Sequence, residues 1–196
     1  MQIDYLHHLP DEHKSSAVRL YRNALKDKLV PILGNDDRAQ NVLETNLDTA
    51  QCIAAIRDRK LVGILAIQSS KGSFLNPTLM TLVKSYGILG GLFRMGGLAL
   101  LHHPTPADEL YVDGVAVLDG LRGEGIGSGL FALLEKIAMK KGIRKISLEV
   151  IDTNPRARAL YERLGFTETK RRALWPFSLV FKFPFESAIQ MVKKID

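Results

Sequence analysis

Apolar and polar positions follow two different periods along the first part of the chain. Residues 11–33 place apolar side chains three and four positions apart, which predicts a helix. A shorter helix is predicted over residues 36–47. Residues 2–6 predict a short strand, and the apolar runs 51–58 and 61–68, separated by a tight turn, predict a β-hairpin.

The pattern is interrupted after the hairpin and then resumes. Residues 70–107 contain six glycines and three prolines among apolar residues, which indicates an insertion between two regular parts. Residues 109–118 predict a strand, 127–141 a helix that Gly142 ends, and 143–150 a further strand. Helices that alternate with strands in this way favour a mixed α/β fold.

Composition adds bounds on size and on ligand charge. A chain of 196 residues without repeats or low-complexity linkers is expected to form a single domain over residues 1–196, with the insertion at about 70–107. The net charge of +6 favours anionic ligands, but it does not choose among phosphates, nucleic acid and membrane surfaces.

Cysteine usage and the apolar segments predict a location. Cys52 is the only cysteine, so no internal disulfide forms, and the first residues lack the order of a signal peptide. The longest apolar region, 79–101, is interrupted by Lys84 and Arg94, so no membrane span is expected. A cytoplasmic protein is therefore predicted.

Four glycines fall within residues 121–130, between a predicted strand and a predicted helix. A helix N-terminus presents unpaired amides and the positive end of its dipole, and glycines let the backbone approach an anion closely. A turn without a ligand explains the same glycines equally well. Two common phosphate motifs do not fit, because Leu130 stands where a dinucleotide fingerprint needs glycine and no Gly-Lys-Ser/Thr is present.

A third pattern, Arg/Gln-x-x-Gly-x-Gly, is met by Arg122, Gly125 and Gly127, directly after "VAVLDG". With the downstream stretch "SLEVIDTNPRARALYERLGF", the chain resembles the GNAT superfamily of acetyl-CoA-dependent N-acetyltransferases over residues 109–167. The segment 70–107 is longer than the connection that this superfamily usually has there.

The resemblance implies a GNAT-like α+β fold, with one mixed, mostly antiparallel central sheet flanked by helices. It implies an enzyme that moves the acetyl group of acetyl-CoA directly to a primary amine of a small molecule, peptide or protein, without a metal or an acyl-enzyme. The residues that it assigns to the cofactor are Val115, Ala116, Val117, Arg122, Gly123, Glu124, Gly125, Ile126, Gly127, Ser128, Asn154, Ala157 and Tyr161.

These assignments divide the cofactor into parts. The loop amides would hold the pyrophosphate, the backbone of Val115 and Val117 would bind the pantetheine arm, and an amide near Ala116 or Val117 would face the thioester oxygen. Asn154 and Tyr161 share a helix face with Ala157 and would line the same cofactor. The alternative is that Asn154 is only a helix N-cap and Tyr161 only a packing aromatic.

Tyr161 matches the tyrosine that protonates the departing thiolate in this superfamily. The attacking amine must lose a proton, directly or through water, and three carboxylates are candidates for the base. Glu149 occupies the position of the base in ribosomal-protein alanine acetyltransferases, and Asp113 shares the side-chain parity of the cofactor strand unless a bulge disturbs it. Glu109 is expected to be solvated.

Two alternatives from other classes stay open. The first is a non-catalytic coenzyme A-binding sensor that keeps the glycine loop but lacks an acceptor site. The second is a basic protein of membrane surfaces or nucleic acid, although no nucleic-acid partner is expected because the basic and aromatic C-terminal segment suits sheet strands better. The histidine pairs at 7/8 and 102/103 are expected at the surface rather than as metal ligands.

The sequence of the insertion also predicts how this segment folds. Asn76 is a suitable N-cap with Pro77 at the first helical position, and glycine pairs at 90/91 and 96/97 weaken any continuous helix. Two short helices with a flexible joint are predicted. Because the segment joins the hairpin to the cofactor strand, we expect an apolar wall or lid over the amine site. A packing layer, a homodimer contact or a membrane-surface role are alternatives.

Overall fold

The computed structural model describes residues 2–195, and the two regular parts of the chain meet in one eight-stranded sheet. The first part supplies β1 (Asp4–Leu6), α1 (Lys14–Ala24), α2 (Lys26–Leu33), α3 (Asp37–Thr45), β2 (Cys52–Arg57), β3 (Lys60–Ser69) and β4 (Gly72–Ser73). The remainder supplies α4 (Leu79–Leu101), β5 (Glu109–Val117), α5 (Ile126–Lys140), β6 (Lys145–Ile151), α6 (Pro155–Arg163), β7 (Thr167–Ala173), α7 (Phe177–Phe181) and β8 (Ser187–Lys194).

The strand order is β1-β2-β3-β5-β6-β8-β7, with β4 paired to β3. Every pair is antiparallel except β5 with β6. Helices cover both faces of this sheet, and the apolar stripe of α5 packs on one face while α1 packs on the other. The predicted fold class, a mostly antiparallel sheet flanked by helices, is therefore confirmed.

The parallel pair β5 and β6 separates part-way along its length. The two strands pair only over residues 109–112 and 145–148. Beyond that point β5 stays on β3 as far as Val117, and β6 stays on β8 as far as Ile151. A cleft therefore opens in the middle of the sheet, with free backbone along one side of β5.

A β-bulge lies at the start of this cleft. Across from it, Ala66 pairs with Gly114 and Ile67 with Val112, which leaves Asp113 as the extra residue. Asp113 and Gly114 both face α1, since Asp113 bonds to Tyr21 and a Cβ on Gly114 would lie 3.0 Å from the Tyr21 ring. The expected shared parity of Asp113 with the following valines is wrong, because the bulge reverses the alternation.

Two predicted helix boundaries are also corrected. The helix expected over residues 11–33 is divided into α1 and α2 at Leu25, whose backbone leaves the helical region. In the insertion, Thr78 rather than Asn76 is the N-cap, because its hydroxyl oxygen accepts a hydrogen bond from the Thr81 amide at 3.2 Å. The Asn76 amide donates instead to the Asn46 carbonyl.

The insertion forms two helical parts, as predicted, but the joint lies elsewhere. Gly87 has φ 74° and breaks α4 between residues 79–86 and 88–101. Gly91 and Gly97 are needed for close packing, because a Cβ would lie 2.8 Å from Val83 at the first and 2.7 Å from Phe181 at the second. No helix within residues 2–195 is long and apolar enough to cross a membrane.

Candidate active site

The glycine loop ends in the N-terminus of α5. Gly123 and Gly125 have φ values of 93° and 82°, the left-handed region that favours glycine, and a Cβ at either position would meet open space. Gly125 is the N-cap, and no side chain caps the helix. The first-turn amides are therefore available to an anion, and the open backbone fits the pyrophosphate of coenzyme A.

The other two glycines of this loop differ from this pair. Gly127 is helical, and a Cβ there would lie 3.6 Å from Leu160, an ordinary contact. A Cβ on Gly129 would collide with the hydroxyl and ring of Tyr5 from β1. Gly129 is therefore required by packing within the protein rather than by a ligand.

Charged side chains of the loop are held by neighbouring groups. Arg122 pairs with Asp119 at 2.7 Å, and Glu124 pairs with Arg57 at the end of β2, also at 2.7 Å. Among the cofactor residues predicted in this loop, the backbone amides of residues 125–128, which include Ile126 and Ser128, match a phosphate better than the paired side chains of Arg122 and Glu124 do.

The cleft between β5 and β6 brings most of the other predicted residues together. Its walls include Val115, Asn154, Ala157 and Tyr161. Asn154 is the N-cap of α6, because its Oδ1 accepts a hydrogen bond from the Ala157 amide at 3.1 Å. The cap uses the oxygen, so the side-chain amide nitrogen is the group that can donate to a bound molecule.

Tyr161 is both a packed ring and a wall of the cleft. Its side chain is 9% exposed and its ring lies edge-on to Phe131 at 5.8 Å between centroids. Burial raises the pKa of Tyr161 to about 12, so the hydroxyl keeps its proton at neutral pH. A role as an acid and a role as a packing aromatic are therefore compatible for Tyr161.

On β5 beyond the bulge, side chains alternate between the two cores. Val115 and Val117 pack against the cluster around α5, and Ala116 is buried on the side of α1. Their backbone, rather than their side chains, follows the open side of the cleft.

A second cavity, of about 290 Å³, adjoins the cleft. Leu25, Lys28, Asp113 and Glu149 line both spaces. The walls are mostly apolar, and α4 with the residue that follows it supplies a set of them: Met95, Leu98, Ala99, Leu101 and His102. We name this space the acceptor cavity, and it meets the cleft between β5 and β6 at two carboxylates.

The two carboxylates have different partners. Asp113 accepts a hydrogen bond from the Tyr21 hydroxyl at 2.8 Å. Burial raises the pKa of Asp113, an effect that outweighs this bond and the nearby charges of Lys28 and His102. Glu149 is 13% exposed and pairs with Arg172 at 3.1 Å.

Lys28 stands beside both carboxylates. Desolvation lowers the pKa of Lys28, while Glu149 and Asp113 partly oppose that shift by favouring the ammonium form. The junction of cleft and cavity therefore holds two acidic and two basic side chains, counting Arg172.

The third candidate carboxylate is placed elsewhere. Glu109 is 3% exposed, accepts a hydrogen bond from Ser147 and pairs with Lys145 at 2.8 Å. The expectation that Glu109 is solvated is wrong, because the parallel pairing of β5 with β6 brings Ser147 beside it. It lines neither the cleft nor the acceptor cavity.

The sequence pattern assigns no site role to Tyr21, Lys28, Arg172 or His102. Tyr21 falls within the helix predicted over residues 11–33, and Arg172 falls within the basic and aromatic C-terminal segment. The one available signal was the helical spacing that puts Tyr21, Leu25 and Lys28 three or four residues apart on one face.

Comparisons with known proteins agree with this geometry. The family model for the acetyltransferase (GNAT) family matches residues 17–166. An uncharacterized N-acetyltransferase, YycN of Bacillus subtilis (strain 168), is 39% identical over 64 residues, which cover 33% of this chain and 41% of that protein. The curated relatives that we compared are matched over less than half of their own length.

Solved structures share the fold over more of the chain. The ribosomal-protein-S18-alanine N-acetyltransferase from Escherichia coli superposes with a TM-score of 0.62 at 18% identity, covering 100% of this chain and 95% of that one. An acetyltransferase from Bacillus anthracis str. Ames, solved in complex with acetyl coenzyme A, has a TM-score of 0.51 at 17% identity over 74% of this chain and 62% of its own. Because the family model matches residues 17–166, which are most of this chain, and parallel strands separate to form a cleft, the chain belongs to the acetyltransferase (GNAT) family.

Proposed function

We propose that the protein is an N-acetyltransferase that moves the acetyl group of acetyl-CoA directly to a primary amine held in the acceptor cavity. The observation that carries this proposal is the shared wall between the cleft and the cavity, where Asp113 and Glu149 stand. An amine entering from the cavity meets carboxylates at the point where it reaches the cleft.

Acetyl-CoA would be held by backbone more than by side chains. The amides at the start of α5 would take the pyrophosphate, with Gly123 and Gly125 giving close approach. The free side of β5 at Val115 and Val117 would bind the pantetheine arm, together with the Asn154 side-chain amide. When bound, acetyl-CoA supplies the activated acyl group that the amine attacks.

The amine nitrogen loses two protons, one before it attacks the thioester and one as the tetrahedral adduct collapses, and the departing sulfur gains one. The protein's part is to take the first proton from nitrogen and to supply the proton to sulfur, which the second proton from nitrogen replaces. An ammonium group binds the carboxylates but is not a nucleophile until it loses a proton. Glu149 is already paired with Arg172, whereas burial raises the pKa of Asp113, which makes its carboxylate a stronger base than an ordinary aspartate. We assign proton removal to Asp113 and attraction of the ammonium group to Glu149.

Tyr161 is the proposed acid for the sulfur atom, since it lines the cleft and its raised pKa keeps the proton in place. Transfer without an acyl-enzyme is favoured by the position of the only thiol. Cys52 is fully buried in β2, and burial raises the pKa of its thiol to about 12.

The proposed acceptor is a primary amine with an apolar body. Leucine is the commonest residue in the lining of the acceptor cavity, and Met95, Phe185 and Ala188 add to its apolar surface. Mostly apolar walls, with the carboxylates of Asp113 and Glu149 where the cavity meets the cleft, favour a ligand that is apolar except at the charged tip that reaches them. The wall provided by α4 would cover the bound amine, which is the lid role predicted for the insertion.

A substrate panel tests this function. Thiol release from acetyl-CoA would be followed with alkylamines, arylalkylamines, lysine peptides and aminoglycosides. We expect apolar amines to give the highest kcat/KM and aminoglycosides the lowest. Acetyl-CoA binding without turnover of any amine would support the coenzyme A sensor instead.

Tyr161→Phe separates catalysis from packing in the same assay. The change removes the hydroxyl and keeps the ring against Phe131. We expect kcat to fall by about 10-fold to 100-fold while the Kd of acetyl-CoA stays within about twofold. An unchanged kcat from acidic to alkaline pH would remove Tyr161 from the mechanism.

A further inference from the structure

Two neighbouring elements expose more large apolar side chains than the rest of the described surface. We name them the α4–α7 ridge, which consists of Ile88, Leu89, Leu92 and Phe93 of α4 with Trp175, Phe177, Leu179 and Val180 in and before α7. Leu89 is 83% exposed, Trp175 74% and Leu179 71%. Groups of exposed apolar residues of this kind mark interaction surfaces rather than ordinary surface.

The two parts of the ridge are in direct contact. The Phe93 ring lies 4.7 Å from that of Phe181, between centroids. Gly97 of α4 also meets the Phe181 ring, at a point where a Cβ would not fit. Arg172, just before Trp175, donates a hydrogen bond to the Leu100 carbonyl at 3.3 Å. The exposed residues of α4 and α7 therefore belong to one surface.

The segments that form the ridge carry an unusual charge. Residues 70–107 and 169–185 together contain seven Lys and Arg and no Asp or Glu. The remaining chain then has 20 Lys and Arg against 21 Asp and Glu. The net charge of +6 therefore comes from these two segments. Arg171 and Arg172 pair with Glu168 and Glu149, which lie outside the segments, and the other five cations take part in no ion pair within residues 2–195.

This charge distribution selects among the possible occupants. A dimer with a two-fold axis through the ridge would place the same cations opposite one another, which is unfavourable. An anionic bilayer surface would instead neutralise them, and each cation near the surface would strengthen binding. Tryptophan, which the ridge exposes at residue 175, is the side chain most typical of the membrane–water interface.

We propose that the α4–α7 ridge docks this protein on an anionic lipid surface. The apolar side chains of the ridge enter the outer part of the acyl region, and exposed cations such as Lys84 and Lys182 contact the phosphate groups. The later part of the same helix, from Met95 onwards, lines the acceptor cavity, so docking brings one wall of that cavity near the lipid. The proposal does not depend on the acetyl-transfer reaction.

The test uses Trp175, the chain's only tryptophan, as its reporter. Phosphatidylcholine vesicles, with and without an equal part of phosphatidylglycerol, would be added to the full chain while its fluorescence is recorded. We expect a blue shift and co-sedimentation with the anionic vesicles, at least about tenfold weaker binding to the neutral ones, and weakening by salt. Equal binding to both, or to neither, would overturn the proposal.

Two pairs of variants locate the contact. Leu89→Asp with Leu179→Asp places charges in the ridge at exposed positions, and Met139→Asp, at a residue 57% exposed on α5, is its control. Lys84→Glu with Lys182→Glu is compared with Lys140→Glu and Lys141→Glu, which change the net charge equally. We expect each ridge variant to lose at least about tenfold in vesicle affinity and each control to keep it.

Two results would contradict the proposal that the ridge docks on lipid. Losses that are equal in ridge variants and controls would show only a general charge effect. Sedimentation that finds a dimer, dispersed by Leu89→Asp with Leu179→Asp, would assign the ridge to a second copy of this chain. Circular dichroism accompanies both, and the charge-reversal pair decides the question if the aspartate pair does not fold.

Discussion

The glycine loop and the acceptor cavity are built in opposite ways. The loop is one continuous segment, and the groups proposed to bind its ligand are backbone amides fixed by two left-handed glycines and a helix N-terminus. The cavity takes its walls from helices and strands spread from Tyr21 to Ala188, and its polar groups are side chains. One half of the site is local in sequence, and the other exists only after folding.

This difference predicts different sensitivities. A backbone site tolerates most changes except those that add charge or volume at a few glycines. A cavity made of side chains is changed by each residue on its wall, so substitutions there alter the acceptor without altering the cofactor. The proposed separation of cofactor and acceptor sites therefore requires that substitutions in the acceptor cavity leave acetyl-CoA binding unchanged, and that substitutions in the loop leave acceptor choice unchanged.

The largest expected effect is at the junction of the two halves. Asp113→Asn keeps a side-chain oxygen for the Tyr21 hydrogen bond but removes the proposed base. We expect kcat to fall by about 10²-fold to 10⁴-fold, with the Kd of acetyl-CoA unchanged. Because burial raises the pKa of Asp113, the wild-type rate rises as pH increases through that raised pKa, and the variant lacks this rise.

Two controls accompany Asp113→Asn: the stability of that variant, and the kinetics of Glu149→Gln. The folded protein holds the Asp113 proton more tightly than the unfolded chain does, so ionisation of this group weakens the fold as pH rises. Asp113→Asn should therefore be at least as stable as the wild type at neutral pH. Glu149→Gln should mainly raise KM, and if it alone removes the pH-dependent rise, Glu149 is the base.

A large effect on cofactor binding is expected at Gly127. Gly127→Glu places a carboxylate in the first turn of α5, and two like charges about 4 Å apart repel by roughly 4 kcal/mol near a protein surface. We expect the Kd of acetyl-CoA to rise by about a hundredfold or more, as measured by calorimetry. Gly127→Ala is the matched control, because its methyl group meets Leu160 at an ordinary 3.6 Å.

Equal Kd values for the glutamate variant and the wild type would contradict the assignment of the pyrophosphate to this loop. Gly125 is a poorer position for the same test. Its φ of 82° strains any side chain, so lost binding there would not distinguish charge from backbone distortion.

The same division explains what sequence alone could predict. Arg122, Gly125 and Gly127 lie within six residues, and the strand, loop and helix around them form from local signals. The face of α6 that carries Asn154, Ala157 and Tyr161 was likewise predictable from helical spacing, and all three line one cleft. Their roles toward acetyl-CoA stay predictions.

Nonlocal pairing decided what could not be predicted. The bulge at Asp113 depends on the register of β5 against β3, and the burial of Glu109 depends on the parallel neighbour β6. The glycine pairs of α4 resembled a joint because sequence does not show that Val83, Ile32 and Phe181 pack against them. Contacts between residues so distant along the chain leave no periodic signal.

The smallest expected effect sharpens the comparison at the cavity wall. Met95→Ala removes a side chain that lines the acceptor cavity, and Met80→Ala makes the same change on the same helix at a residue 65% exposed. Since lost apolar contact in a pocket costs about 1–3 kcal/mol, we expect KM for the preferred amine to rise about tenfold in the Met95 variant only. Larger amines should lose less than smaller ones, because the enlarged cavity admits them. The Kd of acetyl-CoA, measured by calorimetry, should stay the same in both variants. If Met95→Ala weakens the binding of acetyl-CoA as much as that of the amine, cofactor and acceptor do not occupy separable halves of the site. If Met80→Ala raises the KM of the amine as much as Met95→Ala does, α4 stabilises the fold without selecting the acceptor.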